Sequence, residues 1–272
     1  MLPPVSDRVA IEISDHVAVV RLVRGDKHNA LDRAMFEGIL AAAERLAAEP
    51  GVRAVVLGGE GPSFCSGLDI ASLMAEPVGL DALLEREPGQ DANLFQRVAT
   101  EWGRVPVPVI AALHGACFGG GMQIALGADI RIAAPDARLS IMEIRWGLVP
   151  DMGITVTLPP LVRLDLAKEL TFTGRVLSWN EAQAAGLVTR VAADPLAAAL
   201  GLAHDIAAKS PDAIRAGKRL YAEAWDGARA DGLRLESELQ AALIGSPNQI
   251  AAVTAGLAKQ PAEFSDPEPS GT

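Results

Sequence analysis

Cysteine is scarce in this chain. Cys65 and Cys117 are the only two, too few for a disulfide framework, and no CxxC pair or Cys/His cluster offers a zinc site. The four histidines, His16, His28, His114 and His204, are scattered, so no metal site built wholly from side chains is expected. Basic residues are the minority: 24 Lys and Arg against 34 Asp and Glu give a formal charge of −10. That field repels phosphate backbones and argues against a nucleic-acid partner. Long apolar runs are missing too. The most apolar stretch, 105–134, is broken by two prolines, the glycines of Gly115-Ala-Cys-Phe-Gly-Gly-Gly121, and Asp129 and Arg131, so no membrane span is expected. The first 14 residues have neither a basic region nor a continuous apolar run, so they do not read as a signal peptide. These absences together predict a reducing, cytoplasmic setting. GxxxxGK, GxGxxG and GxSxG are absent, which removes the commonest phosphate-binding and serine-nucleophile motifs.

What is present is apolar mass: 50% of 272 residues is hydrophobic, enough for one large domain or one domain with a helical appendage. The pattern predicts a hairpin over 9–13 and 17–23 turning at Ser14-Asp15-His16, a helix over 32–48, and a buried strand over 53–57. A short helix over 70–74 follows, then an acidic, Pro- and Gly-containing segment over 76–91 that reads as a surface loop or lid. Further elements are a helix over 92–102, a strand over 107–113, a helix over 122–126, and short strands over 129–133, 138–141 and 188–192. Alanine-rich helices follow over 196–208, 211–225, 232–243 and 248–257. The reading divides the chain into an α/β core over 1–195, a helical region over 196–264 and a loose polar tail over 265–272.

Two places repeat one design, an apolar strand, a glycine-bearing turn and a helix: 55–57 leading to Gly67-Leu68-Asp69, and 109–113 leading to Gly119-Gly120-Gly121. Glycine lets backbone N–H groups approach a ligand, and a helix start leaves its first N–H groups unpaired. Two such sites facing each other can hold one oxyanion; taken singly, each reads as an ordinary tight turn. The second feature is a pair of carboxylates eight residues apart, Glu143 and Asp151, both among apolar neighbours. Desolvation there would raise a carboxyl pKa and suit it to proton transfer. The alternatives are a surface pair of Glu143 with Arg145, and Asp151 as the cap of a helical turn over 152–158.

The chain resembles the crotonase (enoyl-CoA hydratase/isomerase) superfamily over nearly its whole length. The stretches that carry the resemblance stand in the family's order: Lys27-His-Asn-Ala-Leu31, Ser63-Phe-Cys-Ser-Gly-Leu-Asp-Ile70, Pro108-Val-Ile-Ala-Ala-Leu-His-Gly115, Phe118-Gly-Gly-Gly121, Ala128-Asp-Ile-Arg131, 143–150, 167–175 and 181–188. The resemblance implies an α/β spiral of ββα units with a C-terminal helical region, assembled as trimers or hexamers. It implies an acyl-CoA thioester held by the N–H groups of Leu68 and Gly120, with coenzyme A as part of the substrate and no separate cofactor. Lys27, Asn29, Ala30, Phe64 and Ser66 would line the CoA site, and Lys259 and Phe264 would complete it.

The sequence departs from the hydratase pattern at one position. Hydratases of the family place two glutamates around a water. Glu143 stands for one, but Gln123 occupies the place of the other, and an amide cannot shuttle a proton at neutral pH. Asp151 looks like the dienoyl-CoA isomerase branch, which also carries an acid where Gln123 stands. The expectation is an enoyl-CoA or dienoyl-CoA isomerase with Glu143 as general acid/base, Asp151 as a second proton-transfer group and Gln123 orienting substrate or water. Hydration of 2-enoyl-CoA is the alternative, and a non-catalytic CoA-ester-binding protein is the alternative from another class. Cys65 and Cys117 read as small buried thiols rather than nucleophiles.

Overall fold

The first two strands form a hairpin whose turn matches their twist. β1 (Val9–Ser14) pairs antiparallel with β2 (Val17–Leu22), and the two residues between them, Asp15 and His16, both lie in the left-handed region at φ 48° and 64°. Two consecutive left-handed residues are what a tight two-residue hairpin requires. The computed structural model describes residues 6–75 and 84–267. The first half of the expected lid segment, 76–83, lies outside the described residues, and 84–90 runs as largely exposed turns.

From β2 the chain enters α1 (Arg33–Ala47), capped by the Asp32 carboxylate, which accepts from Met35 N–H at 2.9 Å. β3 (Ala54–Gly59), β4 (Val109–Leu113), β6 (Ile130–Ala133) and β9 (Arg190–Val191) then extend the sheet in parallel, in the order β1-β2-β3-β4-β6-β9. Because side chains alternate along a strand, the buried residues divide between two cores. Val55, Leu57, Val109, Ala111 and Leu113 face α1, α3 (Leu94–Arg104) and α4 (Gly120–Leu126). Phe36 and Phe95 meet there edge to face at 4.8 Å, a contact worth about 1 kcal/mol beyond its buried area. Ala54, Val56, Ile110, Ala112 and Ile132 face the other way, against α8 (Pro195–Ala207). The buried face of α8 is Ala199, Ala203 and Ala207, an i, i+4 stripe of small residues that lets the helix lie close to the sheet. The helix that opens the expected helical region therefore packs as the second layer of the sheet.

A smaller sheet stands beside the first: β5 (Ala116–Phe118) runs parallel to β7 (Arg138–Ser140), and β8 (Leu177–Ser178) antiparallel to β7. Isolated bridges join Leu31 to Leu68 and Cys65 to Cys117. Short helices α2 (Ile70–Met74), α5 (Ile154–Thr157), α6 (Leu164–Thr173) and α7 (Trp179–Ala184) connect these pieces. The chain closes with α9 (Pro211–Ala224), α10 (Arg229–Leu243) and α11 (Pro247–Ala258). These three helices bury little of themselves; Tyr221, Trp225, Ile244, Ile250 and Leu257 are exposed. No helix among the described residues is long and apolar enough to cross a membrane.

The start of the expected loose tail is tied down. Arg53, buried at the head of β3, donates through Nε to Asp266 Oδ1 at 2.8 Å and through a terminal nitrogen to Phe264 O at 2.8 Å, and Ser265 exchanges two hydrogen bonds with Asn248.

Candidate active site

Both strand–glycine–turn units lie beyond the carboxyl ends of neighbouring parallel strands, β3 and β4, where open α/β sheets present their ligand sites. In the first, Leu31 N–H donates to Gly67 O at 2.8 Å and Asp69 N–H to Leu31 O at 2.9 Å. Leu31 thus pairs with the residues on either side of Leu68, and the Leu68 N–H points away from it. Gly67 makes the turn at φ 94°, and a methyl group placed on it would lie 2.9 Å from Phe118 O and 3.7 Å from Gly120 N. The two loops therefore meet where Gly67 faces Phe118 O and the Gly120 nitrogen. In the second, Gly119 turns the chain at φ 51° into α4, leaving Gly120 N–H as the first, unpaired donor of the helix. Neither amide is taken by an acceptor among the described residues.

Glu143 opens a 3₁₀ turn (Glu143–Trp146) and is 7% exposed. A methyl group on Gly119 would lie 3.3 Å from its Oε1, so the carboxylate sits against the Gly119 turn. Oε1 accepts from Gln123 Nε2 at 2.7 Å; Oε2 is buried with no partner among the described residues. Burial pushes its pKa above the usual glutamate value; hydrogen bonds from its own backbone N–H and from Gln123 pull it back, and the negative charge of Asp151 adds to the rise. Asp151 is more open to solvent, and burial of its inner side raises its pKa too. The surface pair with Arg145 is not formed. Nor does Asp151 cap a helical turn: Gly153 is the N-cap of α5, with no side-chain cap.

Gln123 lies beside Glu143. It is fully buried, and its Oε1 accepts Met152 N–H at 2.9 Å. Since only the carbonyl side of the amide can take that donor, the nitrogen must face Glu143. Gln123 therefore holds Glu143 and the segment next to Asp151 through both ends of its amide. Sequence reasoning missed Met152, whose contribution is a backbone N–H and a thioether packed against Gly120; no side-chain chemistry signals either.

The loop expected to line a CoA site is assembled on the same side. Asn29 is fully buried and in the left-handed region, and its amide donates to Glu60 O, Ser63 O and Phe64 O at 2.9, 2.8 and 3.2 Å. It shapes the loop, with no donor left to spare. Phe64 is fully buried, Ser66 N–H donates to His28 O, and Lys27 is exposed at the rim. Within one chain Lys259 and Phe264 do not join them. Phe264 is held by Arg53 at the opposite end of β3, about 17 Å away at strand spacing, and Lys259 is the exposed C-cap of α11. Cys65 and Cys117 are fully buried free thiols; burial pushes Cys65 up to about 12 and Cys117 higher than its usual value, so neither is a nucleophile.

The family model described as enoyl-CoA hydratase/isomerase matches residues 12–267. The chain belongs to this family. The family comprises hydratases and isomerases that act on acyl-CoA substrates. Among curated relatives the chain is 38% identical over 211 residues to the mouse mitochondrial Delta(3,5)-Delta(2,4)-dienoyl-CoA isomerase, across 75% of this chain and 64% of that protein. It thus spans a little under two thirds of that relative's length. It is 29% identical over 255 residues to the mouse mitochondrial methylglutaconyl-CoA hydratase, across 91% and 79% of the two chains. The crystal structure of an enoyl-CoA hydratase from Bacillus anthracis superposes with a TM-score of 0.87 at 27% identity, covering 95% of this chain and 99% of that one. The crotonase-type α/β fold with a C-terminal helical region is thereby shared.

Proposed function

We propose that this family member shifts double bonds in enoyl- or dienoyl-CoA esters. One observation carries the reading: Glu143 holds a buried carboxylate oxygen with no partner among the described residues, packed against the Gly119 turn that presents the free Gly120 amide, while its neighbour at 123 is an amide rather than an acid. The thioester oxygen would sit between Leu68 N–H and Gly120 N–H, which stabilise the enolate as it forms; one such donor is worth about 3 kcal/mol in other enzymes. Glu143, ionised, removes the proton next to the thioester carbonyl. The electron pair moves into the conjugated system, and a proton is returned at the far carbon, with Asp151 as the second proton-transfer group. No water is added and no redox change occurs.

Support also comes from the dienoyl-CoA isomerase relative, although that enzyme's activity is its own. Hydration is the second reading, favoured by the similarity to the methylglutaconyl-CoA hydratase across most of the chain. Lys27, the Asn29–Ala30 loop and Ser66 would receive the CoA moiety. Lys259 and Phe264 would reach such a site only from a neighbouring subunit, consistent with a homotrimer or hexamer built through the exposed apolar residues of α9 to α11. A cytoplasmic location is part of the same reading, resting on two unpaired thiols.

Mass spectrometry of 2-enoyl-, 3-enoyl- and 3,5-dienoyl-CoA, each incubated with the protein in deuterated water, tests the proposal. Deuterium incorporation with a moved double bond and no added oxygen supports it. Addition of the elements of water to the 2-enoyl ester replaces it with hydration. No change in any ester removes both.

A further inference from the structure

Arg24 stands outside the groups discussed so far, yet it touches every segment that builds the Leu68 side of the site. Its guanidinium, only 12% exposed, lies 2.9 Å from Asp69 Oδ2 and 3.5 Å from Asp32 Oδ2, and it donates to Ala30 O at 2.9 Å. Its backbone N–H donates to Asn29 Oδ1 at 2.8 Å. Each aspartate also caps a helix: Asp32 accepts from Met35 N–H at the head of α1, and Asp69 from Ser72 N–H at the head of α2. Hydrogen bonds from Ser72 and then the Arg24 contact hold Asp69 below the usual carboxylate range, so it is an anion whenever the enzyme works.

The position of Leu68 depends on these contacts. Leu68 is followed directly by Asp69, and its direction is set by the Leu31 pairing on either side of it. Leu31 lies between Ala30 and Asp32, both held by Arg24. One planar fork thus fixes the two short segments whose pairing aims the Leu68 amide, and it does so from the side of the loop where Lys27 and Ala30 would meet CoA. A fork of fixed geometry can span three acceptors at once; a lysine ammonium on a flexible stem cannot hold all three in register.

We infer that Arg24 is a positioning residue that aims the Leu68 N–H at the thioester oxygen and couples the CoA-side loop to that donor. The inference rests on the oxyanion reading given above. It explains why a charge network with no substrate-facing group sits beneath the site. It also provides a route by which binding energy from the nucleotide end of the substrate is used at the reacting carbonyl.

Two variants test it. Arg24→Gln removes the fork, while Arg8, 3.0 Å from Asp32, still supports the α1 cap. Asp69→Asn retains an oxygen to cap Ser72 and removes only the charged link to Arg24. The readout is the infrared carbonyl stretch of saturated butyryl-CoA, carbon-13 labelled at the thioester carbonyl, bound to the folded full-length protein. In the parent protein the stretch falls on binding, because the two amides polarise the carbonyl. In both variants much of that fall is lost, and isomerisation kcat drops about 10- to 100-fold with a smaller change in KM, as a displaced donor would cause. A parent-like stretch and kcat in either variant, once folding is confirmed by thermal denaturation, overturns the positioning role. If the parent shows no fall at all, the oxyanion reading itself fails and the inference falls with it.

Discussion

The amide of Gln123 is the hinge between the two carboxylates: its nitrogen lies 2.7 Å from Glu143 Oε1, and its oxygen 2.9 Å from the N–H of Met152, the residue after Asp151. A carboxylate at 123 would face Glu143 across the same gap, and two anions in contact in a buried site must share a proton. The amide avoids that conflict. It donates to the charged form of Glu143 and leaves the second oxygen of that carboxylate without a partner among the described residues.

The acid limb of the pH–rate profile follows from this arrangement. Glu143 must be ionised to accept a proton, and burial places its pKa above the ordinary 4.5. kcat/KM should therefore rise with pH along a limb displaced above the usual glutamate range. Gln123→Ala removes a donor that favours the ionised form and should move the limb to higher pH. Asp151→Asn removes a negative charge that opposes ionisation; turnover falls with the loss of the second proton-transfer group, and the limb of the first step, followed as deuterium exchange beside the thioester carbonyl, should move to lower pH. Limbs that move together, or stay fixed, contradict the assignment of Glu143 as the base.

Stability should report the same group with the opposite benefit. The folded state binds the Glu143 proton more tightly than the unfolded chain does, so ionisation favours unfolding. Its contribution is intact below the unfolded value and declines as pH rises from there through the raised folded pKa. Glu143→Gln carries no such penalty. Its denaturation midpoint should gain on the parent across that window and hold a constant lead above it, while deuterium exchange into substrate is abolished. A constant difference at every pH would mean that Glu143 is not held in a charge-disfavouring setting.

Much of this was legible in the sequence because local chemistry agreed with the final structure. Turn residues at Ser14, Asp15 and His16, the helical stripe of α1, and the continuous apolar runs of β3 and β4 each gave their element within a residue or two. Glu143 and the Gly67 and Gly119 turns were visible for the same reason. β5 and β8 were not, being three and two residues long and formed only by pairing with β7. The task of Gln123 was hidden because its partner is a backbone N–H 29 residues away. Arg24 was hidden because pairing between helix caps leaves no periodic trace.

The three consecutive glycines should separate function from folding. A methyl group on Gly120 would meet the thioether of Met152 at 2.7 Å and a methyl of Leu31 at 2.8 Å, both flexible side-chain ends. Gly120→Ala should therefore fold, but displace Met152 and with it the Gln123–Glu143 pair, lowering kcat about 100-fold. On Gly121 the same methyl would run into the backbone carbonyl of Cys65, which cannot yield. Gly121→Ala should lose about 3 kcal/mol of stability or fail to accumulate. Comparing kcat and urea midpoints of the two variants distinguishes the effects; equal loss of stability in both would contradict the packing argument.

At the opposite end of β3, the buried Arg53 depends on Asp266 for its charge partner, with contacts of 2.8 Å from Nε and 2.7 Å from a terminal nitrogen. Its remaining donors go to Phe264 O and Ala207 O, so the same guanidinium joins the C-terminal segment to the end of α8. Asp266→Ala leaves Nε buried and unsatisfied and should cost about 1–3 kcal/mol. Asp266→Asn keeps an acceptor and should cost less. Because the contact pins the segment that follows α11, the alanine variant should also become sensitive to limited proteolysis beyond residue 258 before the core unfolds. Cleavage there at the parent's rate would mean that the Arg53–Phe264 and Asn248–Ser265 hydrogen bonds hold the segment without Asp266.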